Sequence, residues 1–167
     1  MLDDKNHILW DANKRYFCNN INNWNRLLEI LKVNKNKPKP PSLRLIFYFC
    51  SKFALKYNIN YLQKNRPFNV YDSYREMLKV HTKKRFDPFC RRTKKCLKLH
   101  NISINTNVAQ LEFFRWIFDN RIHEYINKNY IDILINMKYD SKNKNKKHIY
   151  QKPLLIKMNN DLFINFE

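Results

Sequence analysis

The segment NTNVAQLEFFRWIF, residues 105–118, carries the clearest secondary-structure signal of the chain. Large apolar side chains recur in it at steps of three and four residues: Val108, Leu111, Phe114 and Ile117 or Phe118. This spacing places them along one face of an α-helix. We expect Asn105 or Thr106 to begin this helix. Its polar side chains are expected to point outward: Gln110, Glu112 and Arg115.

Helical patterns continue on both sides of this segment. Three helices are predicted before it, from Ile21 to about Lys32, from a cap at Ser42 to about Tyr57, and from a cap at Asn69 to about Lys84. The last of these must end before Asp87-Pro88, because the residue before a proline disfavours the helical conformation. After it, apolar positions from Ile122 to Met137 predict two or three shorter helices.

Two stretches instead suggest β structure. Alternating apolar residues predict a short β segment near residues 97–104, with a break at His100-Asn101. Apolar runs on either side of Asn159-Asn160-Asp161 predict a C-terminal hairpin. The expected fold is therefore mainly α with minor β, in a small helical domain. The expected segments are an N-terminal helical segment (1–33), a basic Pro/Lys linker (34–41), a basic helical core domain (42–138), a basic low-complexity loop (139–148) and the hairpin (149–167).

The composition excludes several classes of enzyme. The 167 residues include no glycine, so Walker loops, dinucleotide-binding turns and nucleophile elbows, which require it, are absent. Asn, Lys and Ile number 25, 23 and 16; all three have A/T-rich codons, so we attribute the bias first to genome composition. No apolar run approaches the roughly 18 residues of a membrane span, and no signal peptide is recognisable. We expect a protein that is not secreted.

Neither catalysis nor metal binding has a recognisable signature. No set of residues has the spacing of a known catalytic motif, so we predict no enzyme activity and no cofactor. Cys18, Cys50, Cys90 and Cys96 form no Cys-x-x-Cys pair and are expected to be free thiols. A zinc site built from His81, Cys90, Cys96 and His100 stays open as an alternative, although its spacing matches no common zinc motif.

The net charge of +19 is concentrated in the middle of the chain. Residues 1–30 are neutral overall, residues 31–100 carry +16 and residues 101–167 carry +3. Codon bias alone would spread lysine evenly, whereas a polyanionic partner would relieve repulsion within a clustered charge. We therefore predict that the protein binds nucleic acid, and DNA in preference to RNA. The predicted binding residues are Lys79, Lys83, Lys84, Arg85, Arg91, Arg92, Lys94, Lys95 and Lys98, with a second contact at Lys142, Lys144, Lys146 and Lys147.

Aromatic residues are interleaved with this charge at Phe86 and Phe89. Such rings can stack on bases or wedge between them. Two exposed phenylalanines in a basic turn would be unusual, so we expect both to anchor the turn to the core. No helix-turn-helix, zinc-finger or other base-reading motif is present, which favours contacts to phosphates over recognition of sequence.

Two segments in this order resemble an uncharacterised protein family of nucleocytoplasmic large DNA viruses, mimivirus-like and iridovirus-like. They are KRFDPFCRR, residues 84–92, and QLEFFRW, residues 110–116. Ala109 stands where the family has glycine, and Glu112 where it has asparagine. The resemblance implies no activity, only a viral setting.

Charge and setting together suggest a non-enzymatic DNA-binding protein for genome packaging or nucleoid organisation, located in the virion or the viral factory. One alternative is a minor capsid or core protein whose basic residues contact acidic protein or lipid. A second is a transcription or RNA-processing accessory factor. Helices within residues 105–137 are the expected surface for self-association or for other virion proteins.

Overall fold

The computed structural model describes residues 2–31 and 41–143. The helices are α1 (Leu2–Asn19), α2 (Ile21–Leu31), α3 (Leu43–Tyr48), α4 (Ala54–Lys56), α5 (Val70–Arg85), α6 (Val108–Asp119), α7 (Ile122–Lys128) and α8 (Tyr130–Lys142), with a π-helical turn (Phe49–Phe53) between α3 and α4. The strands are β1 (Asn60–Gln63), β2 (Arg66–Asn69), β3 (Lys95–Leu99) and β4 (Ile102–Thr106). The predicted class, mainly α with minor β, is confirmed. The predicted C-terminal hairpin and most of the Pro/Lys linker lie outside the described residues.

Helix α6 lies at the centre of the fold. It contacts α1, α5 and α7, and its side chains are buried at every position from Ala109 to Phe118 except Arg115. The expectation that Gln110 and Glu112 point outward is wrong, because both are buried against neighbouring elements. The helix also begins later than expected: Asn107 is its N-cap and accepts a hydrogen bond from the Gln110 amide, while Thr106 still belongs to β4.

The N-terminal helices share this core. Phe17 of α1 and Trp24 of α2 are fully buried, and the Phe17 ring meets that of Phe118 edge to face at 6.4 Å. Tyr16 of α1 also donates a hydrogen bond of 2.6 Å to the Asp119 carboxylate at the end of α6. These contacts fix α1 along α6.

The predicted helix after Ser42 forms, but it contains the π-helical turn. Ser42 caps α3 through a hydrogen bond from the Leu45 amide. Helix α8 packs against α3 and the π-helical turn, and Tyr48 donates a hydrogen bond of 2.6 Å to Asp140. Helix α8 continues to Lys142, so the start of the predicted loop at residue 139 was placed too early.

Two hairpins complete the described structure. Strands β1 and β2 pair antiparallel, as do β3 and β4, and the second hairpin confirms the β segment predicted near residues 97–104. Each turn has two residues with positive φ, Lys64-Asn65 and His100-Asn101. Tight hairpins use this geometry and usually place glycine in it, so asparagine takes that role here. None of the described helices combines the length and hydrophobicity that a bilayer span requires.

Candidate nucleic-acid interface

The candidate interface centres on the turn of residues 86–90, which joins α5 to the segment leading into β3. Phe86 is 3% exposed, and its ring lies 5.1 Å from that of Phe113 and 5.5 Å from that of Trp116, both on α6. This confirms that Phe86 anchors the turn to the core. The backbone beside this ring is also bonded to α6, because the Asp87 amide donates a hydrogen bond of 3.2 Å to the Ala109 carbonyl.

Gln110 holds the other side of this turn. Its side-chain nitrogen donates a hydrogen bond of 2.6 Å to the Pro88 carbonyl, and its side-chain oxygen accepts one of 2.9 Å from the Thr106 hydroxyl. Gln110 is 3% exposed and Thr106 fully buried, so water cannot replace either bond. The two sequence segments singled out above therefore contact each other directly, and α6 positions the basic turn.

A buried polar contact lies beside the turn. The Asn13 side chain of α1 donates a hydrogen bond of 2.6 Å to the Glu112 carboxylate and another of 2.8 Å to the Leu9 carbonyl. The second Glu112 oxygen lies 4.0 Å from the His81 imidazole, which stacks on Phe86 at 6.2 Å. Glu112 therefore links α1 to the end of α5, a role that its predicted outward position would not allow.

The last turn of α5 leaves the helix axis at Thr82. This residue has φ 58° and ψ 162°, a region that costs a residue other than glycine about 1–3 kcal/mol. Its hydroxyl accepts a hydrogen bond of 3.4 Å from the Lys84 amide, which helps to hold the displaced turn. Lys83, Lys84 and Arg85 therefore follow a kink and do not continue the line of α5.

The predicted basic residues from Lys79 to Lys98 lie at the surface. Eight of the nine are exposed and Arg85 is half-buried. Within the described chain, Arg91 is the member of this set that pairs with a carboxylate, at 3.3 Å from Asp87. We call these residues the basic band: Lys79, Lys83, Lys84, Arg85, Arg91, Arg92, Lys94, Lys95 and Lys98. Its charge is therefore largely uncompensated by neighbouring acids.

At one end of the exposed segment 91–95, an arginine side chain lies over an aromatic ring. The guanidinium carbon of Arg91 lies 4.8 Å from the centroid of the Phe89 ring. That ring is half-buried and meets Phe47 of α3 edge to face at 5.3 Å. Phe89 is thus anchored as predicted, but one of its faces supports a cation at the surface.

The other end of the segment meets α1. The Lys95 ammonium lies 5.8 Å from the centroid of the Trp10 ring. The Arg85 guanidinium donates a hydrogen bond of 3.1 Å to the Asn6 side chain of the same helix. Sequence reasoning missed Trp10, Asn6 and Asn13, because the neutral first thirty residues gave no sign that α1 flanks the basic band.

The structure describes part of the second predicted nucleic-acid contact. Lys142 is exposed at the end of α8, a helix that packs against α3 and the π-helical turn. Lys144, Lys146 and Lys147 lie outside the described residues. Of the four lysines in the second predicted contact, the structure therefore describes one, Lys142.

The residues of the alternative zinc site do not converge. Cys90 is buried, Cys96 and His100 are exposed on the β3–β4 hairpin, and His81 faces Glu112. Over the described ranges, no three His, Cys, Asp or Glu side chains lie together as a metal site requires. Burial raises the pKa of the Cys90 thiol, although the Lys94 ammonium acts in the opposite direction. The thiol is therefore protonated at neutral pH.

Comparison with known proteins gives a family and a viral relative. A model described as a family of unknown function (DUF7197) matches residues 2–161. The chain is 32% identical over 148 residues to "Uncharacterized protein L507" of Acanthamoeba polyphaga mimivirus, an alignment that covers 82% of this chain and 56% of that protein. The chain thus spans about half the length of this relative. No solved structure matches it.

Proposed function

The chain belongs to the family of unknown function DUF7197, and we propose that it is a non-enzymatic DNA-binding protein of a large DNA virus. It would contact phosphates largely without regard to sequence, in genome packaging or nucleoid organisation within the virion or the viral factory. The mimivirus relative supports the viral setting. The motifs of residues 84–92 and 110–116 support a closer link to the viral family that they resemble.

The observation that carries this proposal is the uncompensated charge of the basic band. A stretch of twenty residues, 79–98, presents nine basic side chains against the single carboxylate of Asp87. Each lysine or arginine that meets a phosphate releases condensed counterions, which drives binding at low salt. Arginine also offers two parallel donors to one phosphate. Because Phe86 and Gln110 anchor the intervening turn, part of this charge is held on a rigid support.

Salt dependence tests the proposal. We expect two duplexes of unrelated sequence to bind with similar affinity, and that affinity to fall at least about a hundredfold between about 50 and 200 mM salt, as about four phosphate contacts require. Fluorescence anisotropy with labelled duplexes measures both quantities. A flat salt response, or a strong preference between the two sequences, would contradict the proposal.

The structural virion protein is the second candidate, and one observation favours it. Ile131 and Ile135 lie one helical turn apart on α8 and are 63% and 59% exposed, whereas α6 is almost entirely buried. Of the helices within residues 105–137, α8 therefore offers the better surface for self-association or for another virion protein. Binding to vesicles with acidic lipids, without binding to DNA, would favour this candidate.

The third candidate is a transcription or RNA-processing accessory factor. Its nucleic-acid contacts would use the same basic band, so charge does not separate it from DNA packaging. A clear preference for a single-stranded RNA over a single-stranded DNA of the same length in the anisotropy measurement would favour it, because the 2′-hydroxyl distinguishes the two.

A further inference from the structure

We propose that the basic band also binds single-stranded DNA, with unpaired bases stacking at its two aromatic–cation pairs. The pairs are Phe89 with Arg91 and Trp10 with Lys95, at the two ends of the exposed segment 91–95. This inference rests on the proposed nucleic-acid binding and extends it from phosphates to bases.

The first pair, Phe89 with Arg91, presents a flat surface on which an unpaired nucleobase can stack. The Arg91 guanidinium lies against the Phe89 ring at 4.8 Å, and Asp87 holds it at 3.3 Å. The Arg91 side chain is nevertheless 66% exposed, which leaves surface of the guanidinium open to solvent. Unpaired bases stack on the planes of arginine side chains. Because the Phe47 ring packs edge to face against Phe89, this platform loses little freedom on binding.

The second pair brings α1 into the interface. Trp10 is half-buried, beside Lys95, while the other two tryptophans of the chain, Trp24 and Trp116, are 0% and 5% exposed. A base that stacks on Trp10 would place its phosphate near the Lys95 ammonium. The indole ring has a large face, and Lys95 is exposed and pairs with no carboxylate in the described part of the chain. A base can therefore displace the Lys95 ammonium from the ring without breaking a salt bridge.

Only unpaired nucleotides can use both pairs. In a duplex each base is already stacked on its neighbours, and a surface site meets mainly phosphates and base edges. A single strand presents phosphates and base faces together, and stacking on one aromatic side chain strengthens binding about tenfold per base. Stacking releases no counterions, so single strands should stay bound at salt concentrations that release a duplex.

Tryptophan fluorescence of the full chain tests this directly, because Trp10 is the tryptophan that a ligand can reach. We expect an oligothymidylate of about fifteen nucleotides, a length within the range of single-strand sites, to quench the emission. At about 200 mM salt it should bind at least about tenfold more tightly than a duplex of equal length. Trp10→Phe should abolish the quenching.

Two further variants measure the contribution of each platform. Trp10→Ala removes a stacking ring, and Phe89→Leu removes the ring that orients the Arg91 guanidinium. Each should weaken binding of the oligothymidylate about tenfold and weaken duplex binding by a smaller factor, because the charges remain. Thermal unfolding of both variants identifies any loss of fold. Phe89→Leu keeps an apolar contact with Phe47, so it separates stacking from packing.

The outcomes separate the two proposals. Equal binding of single strand and duplex without quenching would overturn the inference and leave phosphate binding intact. If neither ligand binds, the proposed function fails and the inference fails with it. An oligouridylate of the same length that binds about equally supports stacking, since uracil and thymine present the same pyrimidine ring and differ by one methyl group. Binding of the oligouridylate about tenfold or more above the oligothymidylate would overturn the assignment to DNA, because it would require a contact with the 2′-hydroxyl of RNA.

Discussion

The side-chain amide of Gln110 donates a 2.6 Å hydrogen bond to the backbone carbonyl of Pro88. This bond joins the central helix to the turn from which the basic residues extend. The neighbouring bond from the Asp87 amide to the Ala109 carbonyl runs in the opposite direction between the same two segments. Together they make the turn a fixed part of the core, although its sequence is polar and charged on both sides.

Replacing Gln110 with methionine should destabilise the protein by about 1–3 kcal/mol, because the buried Pro88 carbonyl and Thr106 hydroxyl would each lose a partner. Methionine keeps a similar length, so packing changes little. Urea unfolding followed by circular dichroism measures the change. Gln63→Met is the matched control: Gln63 also donates to a carbonyl, that of Asp119, but in an exposed position, where water can replace it. Equal losses in the two variants would contradict this role for Gln110.

The contact between Asn13 and Glu112 should show strong coupling. Removing either partner alone leaves a buried polar group unsatisfied, which costs about 1–3 kcal/mol. Replacing both with leucine removes the polar groups together and should cost less than the sum of the two single changes. A double-mutant cycle on the free energy of unfolding measures the coupling. Strictly additive costs would show that the two side chains do not stabilise each other.

The turn of the β3–β4 hairpin should be sensitive to side-chain branching. Asn101 has a φ of 61°, and left-handed conformations cost most side chains about 1–2 kcal/mol. Asn101→Val should therefore lower the free energy of unfolding by about that amount, whereas Asn101→Gly should not. Ser103→Val, on the exposed face of β4, is the control and should be tolerated because β-branched residues favour strands. Equal effects of valine and glycine at position 101 would contradict the turn geometry.

The free energy of unfolding should decrease as the pH is lowered below about 6.5, the usual pKa of histidine. Burial lowers the pKa of His123 below its usual value of 6.5, and the Arg26 charge lowers it further. Because the unfolded chain then takes up a proton at a higher pH than the folded one, the stabilisation is present above about pH 6.5 and is lost as the pH falls through the folded pKa. Urea midpoints between pH 7 and 5 measure this. His123→Phe should flatten the dependence; an unchanged slope would contradict the assignment.

Sequence reasoning identified the central helix from the local spacing of its large apolar residues. It predicted the inward position of Phe86 because exposed phenylalanines are unusual in a basic turn. It placed Gln110 and Glu112 on the wrong side for a physical reason. Their partners are Pro88, 22 residues away, and Asn13, 99 residues away, and helical periodicity contains no information about such distant groups. A helix surrounded by three others buries polar side chains as well as apolar ones, provided that each finds a partner.

The candidate nucleic-acid interface was predictable only in part. The basic residues of the band were identifiable from charge clustering, since charged side chains seldom lie buried. The contribution of α1 was not, because Trp10 reaches Lys95 through tertiary packing. The kink at Thr82 was also unpredictable: a threonine in that conformation contradicts its local preference, and only the surrounding contacts hold it there.

The salt dependence of duplex binding by matched charge variants tests the central claim, that the basic band binds phosphates, most directly. Arg91→Gln/Arg92→Gln should reduce the slope of log affinity against log salt by up to about 1.8, or about 0.9 for each lost phosphate contact. Lys128→Gln/Lys138→Gln removes the same charge from exposed positions on α7 and α8 and should leave the slope within about 0.5 of the wild-type value. If both variants change the slope equally, or if neither does, the basic band is not the DNA-binding surface.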